Sequence, residues 1–192
     1  FLNLGLAGFV VAAIAARFVF PAMSVEGRMM WLLRSSPVDV RSLFWAKYWV
    51  GTVPLMMVAL PLIVFTNVIL EASPLILALT TVTMIGVTFA LTSLALGFGA
   101  LYPNYETENV AEIPTSFGGL LFMMAATTYL GVVVILEAWP IYLFLQGRLQ
   151  GGDGSVGVVP LALGLSGALA ITLVAIFVPL GAGVRKVRSA DF

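Results

Sequence analysis

The chain has 192 residues, 61% of them hydrophobic and 9% charged, with a mean hydropathy of +1.10 and nine basic residues balancing nine acidic ones. A soluble domain carries roughly 25% charged residues, so this composition excludes a water-soluble protein and indicates an all-α, polytopic membrane protein. There is no cysteine and no histidine, which excludes disulfides, thiolate or imidazole metal centres, and Ser-His or Cys-His catalysis.

Phe1 to Met23 is apolar apart from Asn3 and Arg17 and reaches the roughly 20 residues a spanning helix needs. This is span one, 1–23. Arg17 lies about two turns before Ser24, so its side chain can snorkel to the interface on that side. Gly5, Gly8, Ala12 and Ala15 recur at helical spacing and form a ridge on which another helix can pack closely. The sequence starts inside an apolar run and without methionine, and is therefore expected to be an N-terminally truncated fragment.

Residues 24–47, SVEGRMMWLLRSSPVDVRSLFWAK, are the only long charged stretch. Arg28, Arg34, Arg41 and Lys47 alternate with Glu26 and Asp39 and with Met29, Met30, Trp31, Leu32, Leu33, Phe44 and Trp45, a mixture suited to a membrane surface. Ser24 can cap a first helix with Glu26 in its first turn. Ser36, Pro37 and Asp39 start a second, with Pro37 at the first helical position. Two readings stand for this interfacial segment: an amphipathic anchor between spans, or a docking element for a cytoplasmic partner. In the second, Glu26, Arg28 and Arg34 offer charge, Met30 and Trp31 offer adaptable apolar contact, and Pro37 sets the corner that leads into the next span.

Span two, 48–70, carries Pro54 and Pro61 on nearly one face; they bend it, either as a static kink or as a gate. Glu71-Ala72-Ser73-Pro74 is a tight turn. Span three, 75–101, is long enough to need tilt. Its small-residue face, including Gly86, Ala90, Ser93 and Gly97, predicts close packing on another helix, with a hydroxyl-lined path as the alternative.

The connection 102–114, YPNYETENVAEIP, has interfacial tyrosines and three carboxylates, Glu106, Glu108 and Glu112, and no basic residue. A solvated loop is one reading and a site for a cation or a basic partner patch the other; the Asp/Asn/Gly pattern of a calcium loop is missing. Span four, 115–136, is expected to break at Glu137-Ala138-Trp139-Pro140. Trp139 to Leu149 then reads as a re-entrant or interfacial piece. Gly151 to Ser155 is a flexible turn without the lysine of a phosphate loop. The last span, 156–184, ends in Arg185-Lys186-Val187-Arg188.

With five spans, Arg17, Arg28, Arg34, Arg41, Lys47, Arg185, Lys186 and Arg188 fall on one side and only Arg148 on the other. The positive-inside bias puts the 24–47 segment, the 102–114 loop and the C-terminus in the cytoplasm of a multi-pass cell-membrane protein.

The motifs Glu26-Gly27-Arg28, Leu32-Leu33, Ser35-Ser36-Pro37 and Ala46-Lys47, followed by a proline-bearing span and by Leu96 to Met123, resemble the permease subunits of type-2 ATP-binding-cassette (ABC) exporters. Family permeases have six spans per module against five here. The resemblance implies a non-catalytic, single membrane domain (1–192) of the bacterial inner membrane that moves a substrate. A separate cytoplasmic ABC ATPase subunit would drive it from the 24–47 segment, beside a second permease copy or half. Besides these partners and the lipid bilayer, the reading includes no nucleic acid, cofactor, metal or catalytic residue. The alternatives are a secondary transporter or channel subunit and a non-transporting membrane assembly subunit. A secondary transporter is expected to hold ionisable groups at mid-membrane, whereas Glu71 and Glu137 fall at predicted span ends.

Overall fold

The computed structural model of the chain describes residues 2–25, 40–104, 110–149 and 158–189. Among these residues the elements are α1 (Leu2–Phe18), α2 (Ala22–Val25), α3 (Val40–Ile69), α4 (Pro74–Leu101), a 3-10 turn at Val110–Thr115, α5 (Phe117–Leu149) and α6 (Val158–Ser189). Five stretches are long and apolar enough to cross a membrane: Leu2–Val25, Arg41–Ile69, Pro74–Leu101, Phe117–Tyr142 and Ala162–Val187. Helices are the form such sequence must take, because hydrocarbon offers no partner to a backbone N–H or C=O and each must be satisfied within its own segment.

Two boundaries correct the sequence-based ones. α3 begins at Val40, so Arg41 and Lys47 ride on the first two turns of the second spanning helix and are not part of a separate surface piece that ends at Lys47. Residues 26–39, the rest of the expected interfacial segment, lie outside the described residues. α5 runs unbroken through Pro140 to Leu149, where a helix end at Leu136 and a re-entrant or interfacial Trp139–Leu149 piece are expected. The physical reason is a comparison of costs. Pro140 removes one helical bond, that to the carbonyl of Leu136, whereas ending the helix there would orphan about four carbonyls at once.

The expected turn after span two closes in a specific way. Glu71 N–H bonds the Val68 carbonyl at 3.1 Å and Ala72 N–H the Asn67 carbonyl at 3.0 Å, the paired bonds of a Schellman motif. Glu71 occupies its left-handed position with φ 51°. Ser73 then caps α4, its hydroxyl accepting from the Ile76 N–H at 3.5 Å, with Pro74 next in line.

α4 is the central helix. Every residue from Ala90 to Gly97 is buried, and α4 packs on α1, α3, α5 and most extensively on α6. Where lipid is as apolar as leucine, burial gives helices little reason to associate, so close backbone approach must supply the attraction. Gly97 provides it: a Cβ there would lie 2.6 Å from both the Cβ and the carbonyl oxygen of Pro179 on α6. Gly99 provides it again, since its first added carbon would overlap the carbonyl oxygen of Phe20. The Phe20 side chain, fully buried, stacks on Phe122 of α5 with ring centroids 6.0 Å apart.

The turn of α1 into α2 is fastened at the same end of the bundle. Lys47 Nζ donates to the Ala22 carbonyl at 2.6 Å, and the Asn104 N–H donates to Ser24 Oγ at 3.1 Å. The start of α1, the end of α3 and the start of α4 gather at the opposite end.

Candidate functional site

That opposite end holds a layer of polar side chains inside the apolar bundle. Thr66 on α3 and Thr80 on α4 each have one hydroxyl proton and give it to a carbonyl of their own helix, Leu62 at 2.6 Å and Ile76 at 2.8 Å. Their oxygens are left as acceptors. Asn3 Nδ2 on α1 donates to Thr66 Oγ1 at 2.9 Å and reaches Asn67 Oδ1 at 3.4 Å, while Asn67 Nδ2 donates to Thr80 Oγ1 at 2.8 Å. A chain of amide and hydroxyl groups thus links α1, α3 and α4.

One turn further along α4, Thr83 extends the layer to α5 by donating to Glu137 Oε1 at 2.5 Å. Glu137 is 3% exposed, and its Oε2 is a buried polar atom with no hydrogen-bond partner among the described residues. A carboxyl group in that position is costly unless something satisfies it, and intramembrane carboxyl groups are functional candidates by default. α6 closes over the same spot. Pro140 frees the Leu136 carbonyl, and α6 meets it with Gly164, where a Cβ would lie 2.5 Å from that carbonyl oxygen. Two turns before Glu137, Tyr129 and Thr172 of α6 have their hydroxyls 2.9 Å apart. Thr172 spends its proton on the Ala168 carbonyl, so Tyr129 is the donor.

Glu137 is the residue that sequence reasoning placed wrongly, at a span end. It lies inside the spanning stretch Phe117–Tyr142. The signal was present: the buried residues of α5 run Ala126, Tyr129, Leu130, Val133, Glu137, Ile141, the three-and-four spacing of one helix face. Continuing that face through Pro140 puts the carboxyl inward.

Of the expected packing residues, all on α4, Gly86 and Gly97 face α6. Ala90 and Ser93 are fully buried, and a Cβ on Gly86 would stand 3.4 Å from the Thr172 methyl group. The expected partner-coupling residues Glu26, Arg28, Met30, Trp31, Arg34 and Pro37 all lie outside the described residues, as do Glu106 and Glu108. Glu112 is exposed in the 3-10 turn. No three Asp or Glu side chains come together as a metal site among the described residues.

No curated protein and no solved structure matches the chain. A family model described as "Putative ATP-binding cassette" matches residues 1–192. That description names an ATP-binding cassette and not a permease. It overturns the type-2 exporter permease assignment suggested by the motifs in 26–47, and with it the function of moving a substrate under a separate ATPase docked on 24–47. Those motifs, a Leu-Leu, a Ser-Pro and a lysine at a span entry, also follow from the needs of any helix entering a membrane, which is why they misled. Matched along its whole length, the chain belongs to this ATP-binding cassette family.

Proposed function

We propose that this chain is a membrane-embedded helical body of an ATP-binding-cassette assembly, and that nucleotide is bound and hydrolysed outside residues 1–192. The observation that carries this reading is that the family match over 1–192 falls on five long apolar helices. A phosphate loop needs a glycine-rich turn ending in Gly-Lys-Ser/Thr between a strand and a helix. Lys47 and Lys186 are the only lysines, and neither follows a glycine. The body works beside other ABC components, and the buried layer from Asn3 to Glu137 is its internal polar contact, able to trade partners when helices shift because Glu137 keeps one oxygen unspent.

Orientation is part of the proposal. Arg17, Arg41, Lys47, Arg185 and Lys186 lie at one end of the bundle, and the positive-inside bias makes that end cytoplasmic in a cell membrane.

The test is photoaffinity labelling of the assembly, purified from its own membranes in mild detergent, with an azido-ATP. The expected outcome is ATPase activity in the preparation with label only on a component or segment outside 1–192. Label on a peptide within 1–192 overturns the proposal.

A further inference from the structure

Glu137 presents a carboxyl group with one oxygen held and one open. Its Oε1 accepts the Thr83 hydroxyl at 2.5 Å, while Oε2 has no partner among the described residues and is closed off from water. The hydroxyl protons of the neighbouring pair are already spent: Tyr129 gives its own to Thr172, and Thr172 gives its own to the Ala168 carbonyl. Among the described residues no charged side chain faces Glu137 from the elements packed on α5. α4 has no charged residue at all, Arg17 of α1 lies at the opposite end of the bundle, α6 keeps its basic residues in its last turns, and the 3-10 turn brings only Glu112, beside the start of α5. On α5 itself Tyr142 is exposed, and the one other charged position, Arg148, stands about three turns further on.

We infer that Glu137 is a proton-binding site, occupied at neutral pH, with the proton on Oε2 and the Thr83 hydroxyl donating to Oε1. The room at Oε2 selects the ligand. Water does not reach that atom, and a metal ion needs several oxygens around it, a set that the described carboxylates do not form. A proton needs no such space. Charge points the same way, because an ionised carboxylate held away from water with one oxygen bare is far costlier than a neutral acid with an unspent O–H. The neutral acid keeps the bond that joins α4 to α5, since its carbonyl oxygen still accepts from Thr83. Occupancy and packing are then linked: a rearrangement that brings water to Oε2 lets the proton leave, and loss of the proton favours that rearrangement in return. The site is independent of where nucleotide is bound, so its failure and that of the proposed function are told apart by their separate experiments.

The experiment is infrared spectroscopy of the full chain in phosphatidylcholine vesicles at neutral pH, with its glutamates carrying a heavy-carbon side-chain carboxyl. The wild type is expected to show the carbonyl stretch of a protonated carboxylic acid, displaced by the isotope. Glu137→Gln, which keeps the shape of the side chain, should abolish that band. Thr83→Val should keep the band but move it to higher frequency, because the acid carbonyl loses its donor, and Thr83→Ser should return it to the wild-type position. The two Thr83 variants keep the test decisive if Glu137→Gln does not fold. Absence of the acid band in the wild type, or its persistence in Glu137→Gln, overturns the inference. So does a band indifferent to Thr83→Val, and so does loss of the wild-type band when sodium or potassium is added, which would make the ligand a metal cation.

Discussion

Thr83 and Glu137, 54 residues apart in sequence, share a 2.5 Å hydrogen bond that ties α4 to α5 inside the apolar bundle. The bond satisfies one carboxyl oxygen and leaves the other bare. Removing the donor alone should therefore be worse than removing both groups. Thr83→Val is expected to destabilise the chain by about 1–3 kcal/mol, since it leaves a buried carboxyl group with no partner. The pair Thr83→Val with Glu137→Leu should recover most of that loss. A double-mutant cycle read by unfolding in mixed micelles checks it, with a coupling of about 1 kcal/mol expected from interhelical bonds in membranes. Additive effects of the two substitutions would show that the bond contributes nothing.

Close approach at Gly97 makes a separate prediction. Gly97→Ala places a carbon against Pro179 backbone, which cannot rotate away, and should cost about 1–3 kcal/mol as overpacking. Gly131→Ala, where nothing lies within 4 Å of the new carbon, should be neutral or stabilise α5 by up to about 1 kcal/mol through helix propensity. Gly86→Ala, facing a single methyl group at 3.4 Å, should fall between them. Thermal stability of the three purified variants gives the order, and equal values would dissolve the packing argument.

At Glu71 the expectation has the opposite sign. A residue with a Cβ in the left-handed region is strained, and a Schellman motif normally places glycine there. Glu71→Gly should raise stability by about 0.5–1 kcal/mol, the relieved strain less the entropy glycine gains in the unfolded chain. Asn at the same position should give part of the effect. A fall in unfolding temperature for both variants would mean that the Glu71 side chain contributes more than its backbone costs.

Orientation can be read with single cysteines, since the chain has none of its own. Ser73 is exposed in the turn between α3 and α4, and Val110 is exposed at the basic end. Ser73→Cys should react with an impermeant maleimide on intact cells, and Val110→Cys only after the membrane is opened. The reverse pattern would invert the proposed topology.

Much of the architecture was legible because hydrocarbon imposes it. Length and hydropathy alone identify five spanning stretches, and Glu71-Ala72-Ser73-Pro74 marks the turn between two of them. What misled were residues whose local signal is opposed by the environment. Pro140 reads as a helix end in water, where orphaned carbonyls are solvated; inside the bundle the helix continues and Gly164 accommodates the bump. Lys47 reads as the end of a surface helix, yet its long stem lets it ride on α3 and reach the Ala22 carbonyl. Glu137 was hidden behind the Pro140 error, since a residue assigned to a helix end is not tested for which face it occupies. The polar layer was hidden for a different reason: Asn3, Asn67, Thr80 and Thr83 lie on three helices, and only tertiary packing aligns them.

The interlock between Gly99 and Phe20 bears on how the sequence can drift. It is one-sided, because Gly99 meets a main-chain carbonyl oxygen, which every amino acid carries, whereas the Phe20 ring is engaged elsewhere, on Phe122. Position 99 is thus confined to glycine whatever stands at position 20. Positions 20 and 122 are free to change as a matched pair that refills the same volume. In the lineages of this protein, column 99 should stay silent while columns 20 and 122 covary, a pattern of inheritance written by a backbone atom and not by a side chain.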